Sequence, residues 1–106
     1  MTTLNIKPYT VPIGYSSIGI IATDQWQEAS ISFDLVNATD SIMLRIEVSY
    51  DNENSWQQKA ALDFDAGQPE VSILVTLGHI EDVTHVRATI ETPTTFDTSG
   101  GKLKVK

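Results

Sequence analysis

The chain has 106 residues, no cysteine and a formal net charge of −7. This length suits one domain, and the missing cysteines exclude disulfide bonds and thiolate metal sites. The negative charge argues against nucleic acid as a partner, and no apolar run approaches the ~20 residues needed to cross a bilayer. We therefore expect a single domain over residues 1–106 that binds neither nucleic acid nor membrane.

The first 19 residues are predicted to form an edge strand or an extended arm. Leu4 and Ile6 alternate with polar residues, but a proline follows, and proline cannot donate to a β-ladder. Glycines and serines over residues 14–19 predict a flexible connector, and a short strand is expected over residues 18–23.

From residue 29 onward, apolar residues alternate with polar ones, which is the period of a half-buried β-strand. Turn residues separate these segments at fairly even spacing. We therefore predict an all-β fold, a single antiparallel β-sandwich of seven to eight strands, either immunoglobulin-like or jelly-roll. The predicted strands cover residues 29–35, 42–50, 56–64, 71–77, 84–92 and 103–105.

The clearest pattern is a hairpin over residues 42–64. Its first strand alternates as far as Tyr50, a turn follows at residues 51–54, and the alternation restarts at Trp56. Both aromatic residues are predicted to pack in the core or at its rim. The acidic turn could also hold calcium, although it lacks the length and glycine of an EF-hand loop, and turn chemistry is the favoured interpretation.

No residue pattern typical of catalysis occurs in the sequence. His79 and His85 are the two histidines, and a metal site would need a spaced third ligand. Paired acids such as Asp63 and Asp65 lie at strand ends or in turns, and no serine lies in a nucleophile elbow. We predict a protein that is not an enzyme, with no catalytic residue, no cofactor and no metal.

Charge is distributed unevenly along the chain. All fourteen acids lie between Asp24 and Asp97, whereas lysines are concentrated in the last five residues. A neutral leading segment and a basic tail would suit contact with copies of the same chain or with an acidic neighbour. The apolar leading residues could add a strand to a neighbour's sheet, and the lysines could pair with its acids. The predicted interface residues are Leu4, Ile6, Tyr9, Val11, Tyr15, Trp26, Lys102, Lys104 and Lys106.

Two stretches resemble small β-sandwich modules of tailed-phage virion proteins. Residues 48–56, Val-Ser-Tyr-Asp-Asn-Glu-Asn-Ser-Trp, resemble their strand–turn–tryptophan motif, and residues 83–90 resemble a later valine–arginine strand. The turn of this chain departs from the motif because it has no glycine.

The resemblance implies a non-enzymatic structural virion protein of a tailed bacteriophage, made in the host bacterial cytoplasm. A capsid decoration or cement protein on the outer capsid surface is favoured, and its partners would be the major capsid protein, other virion proteins and copies of itself. The alternatives are an accessory module of the neck, tail or baseplate, and a β-sandwich module that binds a carbohydrate or another cell-surface ligand. In this last alternative, exposed Tyr9, Tyr15 and Trp26 would contact the glycan.

Overall fold

The computed structural model describes residues 2–22, 28–65, 67–68, 70–76 and 83–106. Within these ranges the chain forms ten strands and no helix, so no helix long and apolar enough to span a membrane occurs there. The strands are β1 (Thr2–Ile6), β2 (Tyr9–Val11), β3 (Gly14–Ala22), β4 (Glu28–Asp34), β5 (Ile42–Ser49), β6 (Gln57–Phe64), β7 (Glu70–Thr76), β8 (His85–Thr92), β9 (Phe96–Thr98) and β10 (Gly101–Val105).

Two four-stranded antiparallel sheets form the sandwich. The β4 sheet has the order β1-β10-β4-β7, the β5 sheet has the order β3-β8-β5-β6, and β2 pairs with β9 in a short ribbon. The predicted all-β antiparallel sandwich is confirmed, and the two large sheets hold eight strands. If the ribbon strands β2 and β9 are left out and the other eight strands are numbered 1 to 8 along the chain, the order is 1-8-3-6 in the β4 sheet and 2-7-4-5 in the β5 sheet. This order is the jelly-roll arrangement.

The core consists of the inward-facing residues of both sheets, as the alternation predicts. In β4 and β5 every second residue is buried, and burial of each such aliphatic side chain stabilises the fold by ~1.5–3 kcal/mol. The fully buried side chains with the largest volumes are Val11, Ile31, Ile42, Leu44, Ile46, Val48, Val71, Val86, Ile90, Phe96, Leu103 and Val105.

Residues 14–22 are a continuous strand, so the prediction of a flexible connector over residues 14–19 was wrong, whereas the strand predicted from residue 18 is confirmed as far as Ala22. β3 pairs with β8 along its length, with one register shift between Ser17 and Gly19. Its small residues serve close packing, because a Cβ at position 19 would lie 2.9 Å from Leu4 Cδ2. Glycine here lets β3 approach β1 across the two layers.

A register shift in the β5–β6 hairpin overturns the prediction for Trp56. Ile46 pairs with Ala60, but Glu47 pairs with Gln58, so the residue between them on β6 has no partner on β5. Such a bulge reverses which face the next residues occupy. Tyr50 packs against the core as predicted, whereas Trp56 lies on the outer surface of the β5 sheet beside Arg87.

Residues 2–19 form strands that belong to the sandwich and its short ribbon. β1 pairs with β10 along its whole length and is an edge strand of the β4 sheet. β3 is an edge strand of the β5 sheet. β2, which lies between β1 and β3 in the sequence, pairs with β9.

Candidate binding face

The outer surface of the β5 sheet carries an unusual concentration of charged and aromatic side chains. Strand pairing fixes the arrangement: Glu47 lies beside Arg87, and Met43 lies beside Glu91. We call this surface the Tyr15–Trp56 face; its residues are Tyr15, Met43, Arg45, Glu47, Trp56, Asp63, Arg87 and Glu91.

Glu47 is the centre of the hydrogen-bonded network on this face. Its Oε1 atom accepts a 2.7 Å bond from the Tyr15 hydroxyl and a 3.0 Å bond from Arg87 Nε. Although Glu47 is 8% exposed and burial alone would raise the pKa of its carboxyl, the Tyr15 and Arg87 hydrogen bonds and the Arg87 charge outweigh burial and lower that pKa. Glu47 is therefore a carboxylate at neutral pH and fixes the positions of two neighbours.

Both arginines of the face lie against aromatic rings. The Arg87 guanidinium carbon is 4.1 Å from the centre of the Trp56 ring, and the Arg45 guanidinium carbon is 5.4 Å from the centre of the Tyr15 ring. These are cation–π distances. Tyr15 keeps 51% of its surface exposed, so a rigidly held aromatic side chain is presented to solvent.

An open depression of 340 Å³ lies at one end of the face. Arg45 lines it and donates a 3.0 Å bond through Nη2 to Glu91 Oε1, while Arg45 Nη1 is buried without a hydrogen-bond partner among the described residues. The depression thus combines donors and acceptors with an apolar surface. Its lining residues are Gly14, Ser41, Met43, Arg45, Asp63, Glu91, Thr92 and Pro93.

The described histidine occupies a structural position. His85 Nδ1 lies 3.0 Å from Thr84 Oγ1, and His85 Nε2 lies 3.7 Å from Glu53 Oε2. His79 lies outside the described residues. Within the described ranges, no group of three or more His, Asp or Glu side chains is placed to hold a metal ion.

The acidic turn between β5 and β6 is organised by its own hydrogen bonds. Asp51 accepts bonds from Ser55 Oγ at 2.6 Å, from the Ser55 backbone N–H at 2.8 Å and from Ser49 Oγ at 2.8 Å. These bonds, with Ser55 contributing most, lower the pKa of the Asp51 carboxyl. Asn52 and Glu53 adopt φ values of 56° and 72°, a conformation that turn residues tolerate. The Asp51 carboxylate therefore has a structural role in this turn.

The structure separates the predicted interface residues. Val11 is fully buried in the core, and Leu4 and Ile6 are half-buried against it. Val11 therefore cannot contact a partner in the folded chain. Tyr9 is 38% exposed in the β2–β9 ribbon, where burial raises the pKa of its hydroxyl. Tyr15 belongs to the Tyr15–Trp56 face, whereas Trp26 lies outside the described residues.

The three predicted lysines lie on the other sheet. Lys106 Nζ is 3.4 Å from Glu28 Oε1 in the same chain, and their backbones exchange two hydrogen bonds. Lys102 and Lys104 pair with Ser32 and Ser30, on the outer surface of the β4 sheet. Tyr15 and these lysines therefore cannot form one continuous interface.

The sequence prediction missed Trp56 and the four charged residues on β5 and β8 as parts of one site. Their alternation did carry a signal: Arg45 and Glu47 share the outward parity of β5, as Arg87 and Glu91 share that of β8. Opposite charges at such positions predict cross-strand pairs once the two strands are known to be neighbours. That pairing spans some 40 residues of sequence, as the Glu47–Arg87 bond does.

No family model matches this chain, and no curated protein matches it. Its fold is similar to part of a solved structure from Clostridium thermocellum, the CBM22-1 and GH10 modules of the N-terminal endo-1,4-β-D-xylanase 10B complexed with xylohexaose. The TM-score is 0.51 at 16% sequence identity, and the similarity covers 98% of this chain and 26% of that chain. At this identity the similarity supports the β-sandwich fold alone.

Proposed function

We propose that this chain is a non-enzymatic binding domain whose Tyr15–Trp56 face holds a carbohydrate. The observation that carries the proposal is the exposed Tyr15 ring, in contact with Arg45, beside an open depression that Arg45 lines together with other polar groups. A second ring, Trp56 in contact with Arg87, lies further along the same face. Sugars present apolar C–H surfaces that stack on rings and hydroxyls that need fixed donors and acceptors. The face offers both in a preorganised form, since Glu47 fixes Tyr15 and Arg87.

Two further observations support a carbohydrate ligand. The structural neighbour is a xylanase whose modules are complexed with xylohexaose, which makes xylose oligomers a sensible first ligand to test. The jelly-roll fold also carries lectin domains, although fold similarity is an analogy and the site must carry the argument. Binding of a carbohydrate by this face requires hydrogen bonds and ring contacts, and the proposal therefore includes no catalytic residue.

Replacing Tyr15 by alanine is expected to weaken carbohydrate binding about tenfold or more, because loss of a well-packed aromatic contact typically costs more than ~1 kcal/mol. Trp56→Ala should have a similar effect. Isothermal titration calorimetry with neutral hexasaccharides of xylose, glucose and mannose measures it. Tyr9→Ala, which removes an aromatic side chain from the β2–β9 ribbon, is the matched control and should bind as wild type does.

Tyr15→Phe separates the ring from the hydroxyl. It keeps the stacking surface and removes the bond to Glu47, so it should retain more affinity than Tyr15→Ala. Wild-type affinity in the Tyr15→Ala and Trp56→Ala variants would place any sugar elsewhere and contradict the proposal. Failure of the wild type to bind any sugar on a broad glycan array would do the same.

We also propose, as a second candidate, that the chain is a structural protein of a tailed-phage virion, on the capsid or in the neck, tail or baseplate. The two sequence stretches that resemble such modules support it, and viral capsid proteins use the jelly-roll fold. The observation in its favour is an asymmetry between sheet edges. β3 and β6 each lie at a register shift, whereas β1 and β7 are regular edge strands.

Regular edges are open to strand pairing with another chain, because bulges and charged side chains are the usual protection. β7 has no charged residue after Glu70, and Leu74 on its outer side is 66% exposed. These features favour assembly of several copies through the β4 sheet.

The second candidate predicts a trimer or larger assembly that Leu74→Lys dissociates, because a lysine at a sheet edge opposes pairing. Size-exclusion chromatography with light scattering measures the mass. Leu62→Lys, a similarly exposed leucine on the bulged edge strand β6, is the control and should leave the assembly intact. A wild type that stays monomeric at high concentration contradicts assembly. The protein's copy number in purified virions then separates capsid from tail locations.

A further inference from the structure

We propose that the depression on the Tyr15–Trp56 face selects an uncharged sugar residue and rejects uronates and other anionic sugars. This inference rests on the proposed carbohydrate function and assigns the ligand class of the same site. Two observations support it: Asp63 and Glu91 line the depression, and both arginines of the face already form ion pairs with carboxylates of the chain.

Neither arginine of the face is available as a free cation. Arg45 Nη2 is 3.0 Å from Glu91 Oε1, and Arg87 Nε is 3.0 Å from Glu47 Oε1. The side chains of both arginines are 19% exposed, so each pair is partly desolvated and an incoming carboxylate would have to displace its partner. Displacing Glu47, whose side chain is 11% exposed, would leave a nearly buried carboxylate unpaired, which is costly, whereas the Glu91 side chain is 54% exposed and its release costs little.

The remaining charge on the lining is negative. Asp63 is exposed, and its side chain forms no hydrogen bond or ion pair with the described residues. It pairs with Met43 across the β5–β6 ladder, and Met43 in turn pairs with Glu91. Two carboxylates thus flank the methionine, and one of them, Glu91, is paired with Arg45. An anionic sugar entering here meets a net negative lining in a chain whose net charge is −7.

A neutral sugar fits the same groups without this repulsion. Its hydroxyls can donate to Asp63 and Glu91, since ionised carboxylates are acceptors alone. The Arg45 guanidinium, which lines the depression, holds Glu91 in place as an acceptor through the 3.0 Å bond from Nη2. Met43 supplies an apolar surface, and Tyr15 lies directly beside Glu91 in the β3–β8 ladder. Charge-assisted hydrogen bonds of this kind are stronger than those between neutral groups.

The test compares neutral hexasaccharides with oligogalacturonates of the same length on the full chain, by isothermal titration calorimetry at low and high salt. Wild type should bind the neutral series at least about tenfold more tightly, a difference equal to ~1.4 kcal/mol. Salt should leave neutral binding unchanged, because no charge is exchanged on binding.

Charge-neutralising variants identify the cause of the selectivity. Asp63→Asn should reduce the ratio of neutral to uronate affinity about fivefold, because it removes one exposed charge whose repulsion of the uronate is ~1 kcal/mol. Glu91→Gln should narrow it further, because it also releases Arg45. Glu70→Gln, at the start of β7 on the other sheet, makes the same charge change and should leave the ratio unaltered. Thermal melts of each variant check that the fold is intact.

The outcomes separate this inference from the function on which it rests. Uronate binding that equals or exceeds neutral binding in the wild type overturns the inference while carbohydrate binding stands. A ratio that Asp63→Asn and Glu91→Gln leave unchanged overturns it too. Absence of binding to both series contradicts the proposed function itself.

Discussion

Gly101→Ala should destabilise the fold by about 3 kcal/mol, the upper end of the usual cost of overpacking a tight site. A Cβ at this position would lie 2.1 Å from the Ser32 carbonyl oxygen and 2.4 Å from Phe33 Cβ. The first of these atoms belongs to the backbone of β4, which pairs with β10 at this point. The strands cannot separate locally without losing ladder hydrogen bonds at the centre of the β4 sheet. Urea denaturation followed by circular dichroism gives the free energy of unfolding.

The matched control is Gly67→Ala. Gly67 has a φ of 84°, and a Cβ there would have no neighbour within 4 Å. The substitution should therefore cost ~1–2 kcal/mol, the conformational penalty for an L-residue in this region. If both variants lose equal stability, crowding against β4 is not the reason for glycine at position 101.

Glu47→Ala is expected to cost about 3 kcal/mol of stability, at the lower end of the range for breaking a buried ion pair. The Glu47 side chain is 11% exposed, and its removal leaves Arg87 and the Tyr15 hydroxyl without their shared acceptor. Tyr15 should also lose its fixed orientation, so carbohydrate affinity should fall together with stability. Chemical denaturation measures the first effect and calorimetric titration the second. Full affinity in a destabilised variant would contradict the positioning role of Glu47.

Glu47→Gln, with its pH dependence, separates charge from shape. The pKa of Glu47 is lowered in the fold from its usual value of 4.5. Its ionised form therefore stabilises the protein above that pH, and the stabilisation is lost as pH falls through the lower folded pKa. Glutamine keeps an acceptor oxygen but has no charge to titrate. Wild type should consequently lose more stability than Glu47→Gln does below pH 4.5, and parallel acid profiles would exclude the linkage.

The alternation of apolar residues was sufficient to predict the fold class. From residue 29 onward the six predicted strands correspond closely to β4–β8 and β10 where the chain is described, and inward residues such as Ile31 and Leu44 are fully buried. No strand was predicted at β9 (Phe96–Thr98), which lies in a stretch interpreted as a loop. The period of two is a direct consequence of strand geometry, so it survives without knowledge of neighbours. The jelly-roll connections required the structure, because strand order depends on pairings between residues distant in sequence.

The main errors have a common physical origin in irregular pairing. Glycines and serines made the first part of the nine-residue strand β3 resemble a connector, and this strand also has a register shift. A second register shift, opposite Ile46, placed Trp56 on the outer surface. A bulge inserts one residue and reverses the parity of everything beyond it, and no local pattern in β6 marks its position. The bulge explains why Trp56 was missed as a member of the face. The four charged residues and Tyr15 come together through the β5–β8 and β3–β8 pairings, which join residues distant in sequence.

The pairing of β1 with β10 brings the first and last strands side by side, with Thr2 opposite Val105. Such neighbouring ends permit a circular permutant, in which a short linker joins them and new termini open in a surface loop. They would equally let the domain be spliced as a unit into a loop of a carrier polypeptide. Because β1 and β10 belong to the β4 sheet, such a graft would display the opposite sheet, with its arginine-backed rings, outward from the carrier.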